Sequence, residues 1–449
     1  MSGINLPSSL TLHDISGYRD ESFHAESHDT IATTLPENVG RKDNEPAPPP
    51  DGGTQAWLQV LGSWMLFFNT WGILNTFGIF QTYYESGALF RTSSSNISWI
   101  GSIQALALLA TGAFVGPIYD RGGYRWLLIV GTVGVVLGHM LLSLAKTYWE
   151  ALLTQGLMVG IGGGCLYVPA VAIMPTYFTS KLGLTLGIAA SGSSTGGIIY
   201  PIMFYKLIDR VGFAWTVRIL SFTALITLII PFSVMRMRVK PAKVRSLIDW
   251  TAFQDGPYMT FVVGCLIGYM SSYIAFFYTS FFGQASGITD TSLAFYLVPI
   301  LNVGSMFGRT MPNWLSDKIG PLNVIAPSAL GVGVILFCNI AVNDVVGIVV
   351  TTLLLGFFTG VFVALPPAIY VSLTQDKSKI GTRIGMGLAL AGLGVLAAGP
   401  GGGAILGGTR GSENFEGLWI FGGTAAMSAG AILIGLRIWK GGLSLGAKV

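Results

Sequence analysis

Long uncharged runs are the feature that most constrains how this chain can fold. Twelve stretches of about 17 to 34 residues contain no Asp, Glu, Lys or Arg. A helix needs about 20 residues to cross the hydrocarbon core of a bilayer, so each stretch is close to one crossing in length. In lipid, every backbone amide must be hydrogen-bonded within its own segment, and the alternating polar positions of a barrel strand are missing. The sequence therefore predicts an all-α membrane protein with twelve transmembrane helices.

The same runs give the predicted helix boundaries. They cover residues 52–84, 92–119, 126–145, 151–180, 182–205, 219–235, 256–289, 291–308, 319–343, 345–375, 384–409 and 417–436. The eighth run is short, so its helix must continue through Arg309 to about Trp314. Composition agrees with this interpretation, because 10% of residues are charged, whereas charged residues make up about a quarter of a typical soluble domain.

Lys and Arg are distributed unevenly between the two sets of predicted loops. With the amino terminus inside, the cytoplasmic segments hold 17 of these residues and the outer segments hold 5. The positive-inside rule therefore places both termini in the cytoplasm. This distribution also argues against nucleic-acid binding, because the bases follow topology and do not gather in a patch with aromatic residues.

Two turns repeat the same order of residues. Asp120-Arg121-Gly122-Gly123 and Asp317-Lys318-Ile319-Gly320 each have an acid, a base, any residue and a glycine after a long apolar run. Matching turns in two halves indicate a duplicated membrane fold. We predict two pseudo-symmetric six-helix bundles at residues 51–235 and 257–440. The remaining segments are a disordered cytoplasmic tail, a cytoplasmic inter-bundle loop and a short C-terminal tail, at residues 1–50, 236–256 and 441–449.

Several motifs between the first and eleventh predicted helices carry a family resemblance. They are Asp51-Gly52-Gly53 with Trp57, Gly116 to Arg125, Gly308-Arg309, and Ile380 to Met386. These stretches resemble the monocarboxylate transporter family within the major facilitator superfamily, and its fungal branch in particular. The resemblance implies a secondary transporter whose two bundles rock about a central site. From its position, Asp51 is expected to cap the first helix.

The resemblance also implies a role for the two repeated turns. In the superfamily, the acid and bases between helices two and three latch one bundle against its neighbour during rocking. We therefore expect gating motifs on the cytoplasmic side. Their residues here are Gly116, Asp120, Arg121, Arg125, Asp317, Lys318 and Gly320.

Arg309 is the leading candidate for a substrate contact. It lies eight residues before Asp317, which places it roughly 12 Å from the turn at about 1.5 Å per helical residue. An ionisable group held in lipid is costly and usually functional, and a guanidinium can offer two parallel N–H groups to a carboxylate. The transporters that this chain resembles use a helix-eight arginine for that purpose. Snorkelling to the headgroups and pairing with Asp317 are the alternative interpretations.

Neutral polar residues complete the predicted binding site. The candidates for lining the substrate cavity are Asn75, Asn302, Tyr200 and Gln155. His139, the single membrane histidine, could carry a coupled proton because imidazole titrates near neutral pH, or it could be a packing residue. Asn96-Ile97-Ser98 is an N-glycosylation pattern, but it begins so close to the membrane that we expect little occupancy.

No enzymatic chemistry is predicted. The sequence offers no nucleophile with a neighbouring base, no metal cluster and no phosphate-cradling loop, so we expect neither catalysis nor a cofactor. Cys165, Cys265 and Cys338 lie inside apolar runs without metal or disulfide spacing. We interpret them as small buried residues.

Two charged partners found in lactate-type relatives are missing. The position of their helix-one lysine is Leu74 here, and the aspartate one turn before the arginine is Ser305. A proton-coupled lactate mechanism therefore cannot be transferred, and an anionic or amphipathic substrate would itself supply the missing charge. We predict export of a small acidic or amphipathic organic metabolite, such as a fungal secondary metabolite, across the plasma membrane by a monomer.

Other functions fit the same residues. The main alternative is proton-coupled uptake of a monocarboxylate or vitamin-like nutrient, and the alternative location is the vacuolar membrane. A receptor-like sensor on the same fold would need longer cytoplasmic tails than the predicted ones of about 50 and about 10 residues. The predicted partners are a small organic substrate and the lipid bilayer.

Overall fold

Helices make up all the regular structure in the part of the chain that can be described. The computed structural model describes residues 48–239, 244–376, 379–407 and 413–444. Most of the two predicted tails and residues 240–243 of the predicted inter-bundle loop lie outside these ranges. Within them, the all-α architecture predicted from the sequence is confirmed.

The first uncharged run forms a helix in three pieces. These are α1 (Thr54–Asn69), α2 (Trp71–Asn75) and α3 (Phe77–Glu85). Thr70 interrupts the helix with φ −105° and ψ −81°. The hydroxyl groups of Thr70 and Thr76 donate to the carbonyl oxygens of Leu66 and Gly72, each 2.9 Å away. Such bonds to the preceding turn bend helices, so this crossing is segmented.

The remaining elements follow the predicted order. The first half continues with α4 (Ser94–Asp120), α5 (Tyr124–Leu142), α6 (Tyr148–Ala151), a π-helical stretch (Leu152–Val159), α7 (Gly160–Ala172), a 3₁₀ turn (Met174–Thr176) and α8 (Leu182–Val234). The second half contains a 3₁₀ turn (Trp250–Gln254), α9 (Gly256–Ala285), α10 (Thr291–Ile319), α11 (Leu322–Cys338), a 3₁₀ turn (Asn339–Ala341), α12 (Val345–Ala364), α13 (Pro366–Leu373), α14 (Ile380–Leu406) and α15 (Phe415–Gly441).

Polar side chains fix where several of these helices begin. Ser93 accepts a hydrogen bond from the amide of Asn96 at the start of α4, and Asp290 accepts one from Leu293 at the start of α10. Each cap satisfies a backbone donor that has no partner inside the helix. Pro50-Asp51-Gly52 leads into α1 differently, as described below.

The helix α8 is too long to be one membrane crossing. Its 53 residues would span about 80 Å at about 1.5 Å per residue, and the hydrocarbon core is about 30 Å thick. Gly212 adopts φ 73° and ψ 172°, a backbone geometry that favours glycine. Tyr200 and Thr227, on opposite sides of Gly212, both hydrogen-bond to Asn69 of α1. The chain therefore folds back at Gly212.

The boundaries predicted from charge for the two crossings within α8, residues 182–205 and 219–235, are too narrow. The predicted gap between residues 205 and 219 is helical except at Gly212. Charged side chains at the end of a crossing can extend towards the headgroups, so a charge limits the lipid-facing run without ending the helix.

Ten helical segments of the described chain are long and apolar enough to cross a membrane. Because α8 folds back, it supplies two crossings, and α1 to α3 together supply one more. This reading gives twelve crossings. The twelve-helix count and the cytoplasmic location of the termini stay predictions.

Helices of the two predicted bundles meet along three seams, where α4 packs on α14, α8 on α10 and α3 on α9. Glycines permit the close approach. A Cβ on Gly187 of α8 would lie 2.8 Å from the carbonyl oxygen of Arg309, and one on Gly403 of α14 would lie 2.7 Å from the Cα of Ser95. The division into bundles at residues 51–235 and 257–440 stays a prediction.

Asp51 does not cap the first helix, so that expectation is wrong. Gly53 is the residue before α1 and makes no side-chain cap. The carboxylate of Asp51 instead accepts hydrogen bonds from the backbone amides of Thr179 and Ser180, which precede α8. The bond from Thr179 is the main reason that the pKa of this carboxyl lies below its ordinary value.

One of the three cysteines is not buried. Cys165 and Cys265 are enclosed as expected, but Cys338 is exposed at the end of α11. An apolar run in a membrane protein can face lipid as well as the interior, so hydrophobic surroundings in the sequence do not fix burial.

Candidate functional site

Arg309 is buried completely and joins two helices. It lies on α10, where Nε donates to Oγ of Ser305 at 3.0 Å. Its Nη1 donates to the carbonyl oxygen of Ala190 at 3.2 Å and also contacts Oγ of Ser193, both on α8. Snorkelling to the headgroups therefore does not describe this side chain. The guanidinium is a polar contact between the first and second halves of the chain.

Part of the Arg309 guanidinium has no partner in the described chain. Its Nη2 is buried and unbonded, as are Oη of Tyr273 on α9 and Oγ of Ser194 on α8. Tyr273 and Tyr269 are both close enough to Arg309 to interact with it electrostatically. Leaving a buried donor unsatisfied costs about 1 to 3 kcal/mol, and more for a charged group. An oxygen atom of a bound ligand would satisfy these groups.

Asn75 and Asn302 form a second polar contact between the halves. Asn75 Nδ2 on α2 donates to Asn302 Oδ1 on α10 at 3.1 Å, and both side chains are buried. Asn302 lies seven residues before Arg309, which corresponds to about 10 Å along the helix. The structure thus brings two of the predicted cavity residues together, about two helical turns from the arginine.

The other predicted polar residues are engaged within the first half of the chain. Tyr200 Oη donates to Asn69 Oδ1 at 2.6 Å, and Tyr84 Oη donates to Gln155 Oε1 at 2.7 Å. His139 Nδ1 lies 2.8 Å from the carbonyl oxygen of Val135 one turn earlier. Among the described residues, Arg309 hydrogen-bonds to Ser305, Ala190 and Ser193, and to none of these side chains.

A cavity of about 620 Å³ lies between α4, α7, α13 and α14. Its wall is mainly aliphatic, with Tyr167, Asp120 and Arg245 as the polar members. The other lining residues are Leu109, Gly112, Ala113, Val168, Val171, Ala172, Pro175, Val371, Ile380, Gly381, Ile384, Gly385 and Leu388. Neither Arg309 nor the four neutral candidates line this cavity.

Tyr167 connects the cavity with the surroundings of Arg309. Its ring packs edge-on against Phe67 and Trp71, with centroid separations of 5.9 and 5.8 Å. Tyr167 also lies within electrostatic range of Tyr269 and Tyr273, the two tyrosines that neighbour Arg309. Of these three tyrosines, Tyr167 is the one that lines the cavity.

Arg245, one of the 17 Lys and Arg residues in the predicted cytoplasmic segments, lies at the other end of the cavity. Its Nε and Nη2 each donate to the carboxylate of Asp120 at 2.6 Å, and its backbone amide donates at 2.9 Å. Its side chain fits between two glycines. A Cβ on Gly116 of α4 or Gly381 of α14 would come within 2.9 or 2.6 Å of it.

The residues after Arg245 bind α14. The carbonyl oxygen of Ser246 accepts from Thr382 Oγ1 at 2.7 Å, and Asp249 forms ion pairs with Arg383 at 3.0 Å and Lys379 at 3.1 Å. We call residues 245–255 the linker strap, because consecutive residues in it hold α4 and α14.

Asp249 is held ionised within the linker strap. Burial alone would raise the pKa of its carboxyl, but hydrogen bonds from Thr251, Arg383 and Lys379 outweigh burial and lower that pKa. Arg383 also pairs with Asp255 at 2.6 Å. The predicted inter-bundle loop is therefore ordered by ion pairs in its described part.

The remaining gating candidates lie at the end of α4, at the start of α5 and at the end of α10. Arg121 and Arg125 are exposed, and the ammonium of Lys318 lies 3.7 Å from the ring centre of Trp314. Gly320 ends α10 with φ 96°, and a Cβ on Gly183 of α8 would collide with the carboxylate of Asp317. The two repeated turns thus have different surroundings.

Asn96 lies in the first turn of α4. It is exposed, and its Nδ2 donates to Thr92 Oγ1 at 2.8 Å. An amide nitrogen engaged on a helix is a poor glycan acceptor, so low occupancy stays the prediction.

Comparison with known proteins identifies similar sequences. Residues 56–342 match the family model described as Major Facilitator Superfamily, which is more than half of the chain. The chain is 58% identical over 383 residues to the MFS-type transporter dbaD of Emericella nidulans, with 85% of this chain and 86% of that protein covered.

Two further relatives have names that state what they export. The chain is 34% identical over 399 residues to the aspyridones efflux protein apdF of Emericella nidulans, with 88% of this chain and 80% of the relative covered. It is 36% identical over 399 residues to the fujikurins efflux protein of Gibberella fujikuroi, with 87% of this chain and 84% of the relative covered.

Proposed function

The chain belongs to the Major Facilitator Superfamily, and from this premise we propose that it is a secondary transporter that exports a small acidic or amphipathic organic metabolite. Members of this superfamily are multi-pass membrane transporters and not enzymes. Two relatives that align over most of the chain are named efflux proteins for aspyridones and fujikurins. Fungal secondary metabolites are therefore the substrate class that we propose.

The observation that carries the proposal is the position of the cavity relative to the seam between α4 and α14. At one end of the seam, Gly399 and Gly403 pack directly on Ser102 and Ser95. At the other end, residues of both helices line the cavity together with residues of α7 and α13, and the cavity reaches Arg245, whose side chain is 17% exposed. The positive-inside rule assigns this end to the cytoplasm. A cavity there would admit substrate from the cytoplasm, as export by alternating access requires.

We propose Arg309 as the contact for the acidic group of the substrate. Its unbonded Nη2 and the nearby Tyr273 hydroxyl support this role, because both would gain a partner from a carboxylate or enolate oxygen. Arg309 does not line the cavity in this conformation, so Tyr167 and the two tyrosines that neighbour Arg309 would have to move during the transport cycle. Asn75 and Asn302 would rearrange as well, since their hydrogen bond joins α2 to α10, the helix that carries Arg309.

The linker strap supports a gating role for Asp120. Rocking of the bundles must change the spacing of α4 and α14, and Arg245 lies between glycines of both helices. We propose that this contact rearranges in each cycle. Gly116, Arg121, Arg125, Asp317, Lys318 and Gly320 remain candidates for the same cytoplasmic gate.

Several finer assignments belong to the same proposal. We place the chain in the monocarboxylate transporter-like branch on its motifs, and we propose a monomer in the plasma membrane, with the vacuolar membrane as the alternative. Proton-coupled uptake would need His139 or another proton carrier. The Nδ1 contact of His139 with Val135 suits the packing role, which favours export over that alternative.

Transport assays on purified protein in proteoliposomes test the proposal. Efflux and uptake of labelled aromatic and aliphatic acids would be measured with and without a pH gradient, for wild type, Arg309→Ala and the control Arg218→Ala. Arg218 is a second arginine within a helix, but its guanidinium lies 5.0 Å from the Trp215 ring centre and its Nε donates to Ser143 Oγ.

We expect Arg309→Ala to reduce acid transport at least tenfold while Arg218→Ala remains near wild type. Equal loss in both variants, or full activity of Arg309→Ala, would exclude Arg309 as the substrate contact. Transport that requires an inward proton gradient would instead support uptake.

A further inference from the structure

We propose that the cavity between α4, α7, α13 and α14 is a subsite for the apolar body of the substrate, and that Gly112 sets the largest body it accepts. This inference rests on the proposed function and narrows its substrate class. The preferred molecules are organic anions with a bulky aromatic or polycyclic body, and short monocarboxylates are poor substrates.

The size and chemistry of the cavity indicate this class. Its volume of about 620 Å³ lies within the range of about 300 to 1,000 Å³ that is typical of sites for drug-sized ligands. Aliphatic side chains dominate the wall, and the carboxylate of Asp120 is already paired with Arg245. An apolar body gains from leaving water in such a place, whereas a short acid would leave most of the cavity unfilled.

Gly112 is placed to control the depth of this subsite. A Cβ on Gly112 would lie 3.5 Å from Cδ1 of Tyr167 and 3.8 Å from Cγ2 of Val168, which are ordinary contacts with two residues of the cavity wall. The helix would therefore accept a side chain at this position, and the side chain would occupy cavity space. A leucine is also a better helix former than glycine.

Gly385, on the facing helix α14, differs from Gly112 in the atoms that an added Cβ would contact. A Cβ there would lie 3.2 Å from the Cα of Ala113 and 3.4 Å from its Cβ, so it would press on the backbone of α4. A larger residue at Gly385 changes the contact between helices. A Cβ at Gly112 meets side-chain atoms of the cavity wall and no backbone atom of a neighbouring helix.

In this proposal, a single substrate molecule occupies the cavity with its apolar body and contacts Arg309 with its acidic group. Tyr167 forms part of the cavity wall and lies within electrostatic range of the stacked pair Tyr269 and Tyr273, which neighbour Arg309. A molecule with its body beside Gly112 and its acidic group directed past these tyrosines would approach the unbonded Nη2 of Arg309. The polar and apolar parts of the substrate are thus recognised separately.

A homologous series of fluorescent aryl acids tests the inference. Benzoate, 2-naphthoate and anthracene-2-carboxylate carry the same charge on one, two and three rings. Binding to the purified full-length protein and efflux from proteoliposomes would both be measured for wild type, Gly112→Ala and Gly112→Leu. Gly435→Leu is the matched control, because no atom lies within 4 Å of a Cβ at that position.

We expect wild type to bind anthracene-2-carboxylate at least tenfold more tightly than benzoate. Gly112→Leu should weaken binding of the three-ring acid at least tenfold and that of benzoate less than twofold, with Gly112→Ala between wild type and leucine. Gly435→Leu should match wild type for all three acids.

The inference is overturned if wild type binds none of the series, if it shows no preference for size, or if Gly112→Leu weakens all three acids equally. Binding with the expected size dependence but without transport would keep the subsite and reject export of these acids. The two proposals therefore fail separately.

Discussion

Arg245 and Asp120 form a bidentate ion pair that joins the linker strap to the end of α4, and both guanidinium-to-carboxylate distances are 2.6 Å. The two partners are buried to different extents. The side chain of Asp120 is 2% exposed and that of Arg245 is 17% exposed. Removing one partner therefore does not have the same consequence as removing the other.

Arg245→Ala should destabilise the protein more than Asp120→Asn. The alanine variant leaves a buried carboxylate without its guanidinium, and breaking a buried pair in this way costs about 3 kcal/mol or more. In Asp120→Asn, the arginine can turn towards water. Thermal unfolding of the purified variants in detergent would measure the difference, and equal losses would contradict the asymmetry.

The linker strap should weaken in acid through Asp249. The pKa of this carboxyl is lower in the folded protein than its ordinary value of about 4, so the stabilisation is complete above that pH and is lost as pH falls towards the folded pKa. Asp249→Asn should lower the melting temperature at pH 7, and the gap to wild type should narrow below about pH 4. A gap that stays constant down to pH 3 would show that this carboxyl does not supply the stabilisation.

Alanine at Gly304 or Gly308 should prevent normal packing of α10. A Cβ at either position would overlap a backbone carbonyl oxygen of α12, that of Leu353 or that of Phe357. Backbone atoms cannot turn aside as a flexible side chain can, so each variant should lose about 3 kcal/mol or more. Yield and melting temperature of the purified protein test this, with Gly435→Ala as the control; normal melting of Gly308→Ala would mean that the two helices can separate without cost.

The bond between Asn75 and Asn302 should produce measurable coupling. Buried hydrogen bonds between membrane helices contribute about 0.6 kcal/mol on average and up to about 1.7 kcal/mol. A double-mutant cycle with Asn75→Ala and Asn302→Ala should give a coupling free energy in this range. As a control, Asn302→Ala combined with Ser428→Ala, which lies on an exposed helix face, should give additive losses of stability. Additive losses in the asparagine cycle would show that the hydrogen bond between Asn75 and Asn302 does not contribute to stability.

The helices were predictable from the sequence because lipid excludes charge over a whole crossing. The continuation of α10 through Arg309 followed from the same length requirement and is confirmed. The interruptions at Thr70 and Gly212 were not predictable in this way. A run without charge looks the same in the sequence whether the helix inside it is straight or broken. Gly212 lies among charged residues, in the gap between the predicted helices that end at residue 205 and begin at residue 219.

The candidate site was predictable where a residue was chemically unusual for its surroundings. Arg309 stands out as the charge inside an apolar segment, and the structure places it between α8 and α10. Arg245 has no such signal, because it is one of several bases in a segment predicted to be cytoplasmic. Gly112 is equally hidden, since only the positions of Tyr167 and Val168 distinguish it from the many glycines that allow helices to approach.

The reversal of α8 at Gly212 limits how this protein can be modified for experiments. Helix continues up to Gly212 and resumes directly after it, so there is no loop there to lengthen. Each residue inserted beside Gly212 would rotate the following helix by about 100° about its axis. An epitope tag or a fluorescent reporter at this turn would therefore move Thr227 away from Asn69 and separate the two crossings from α1.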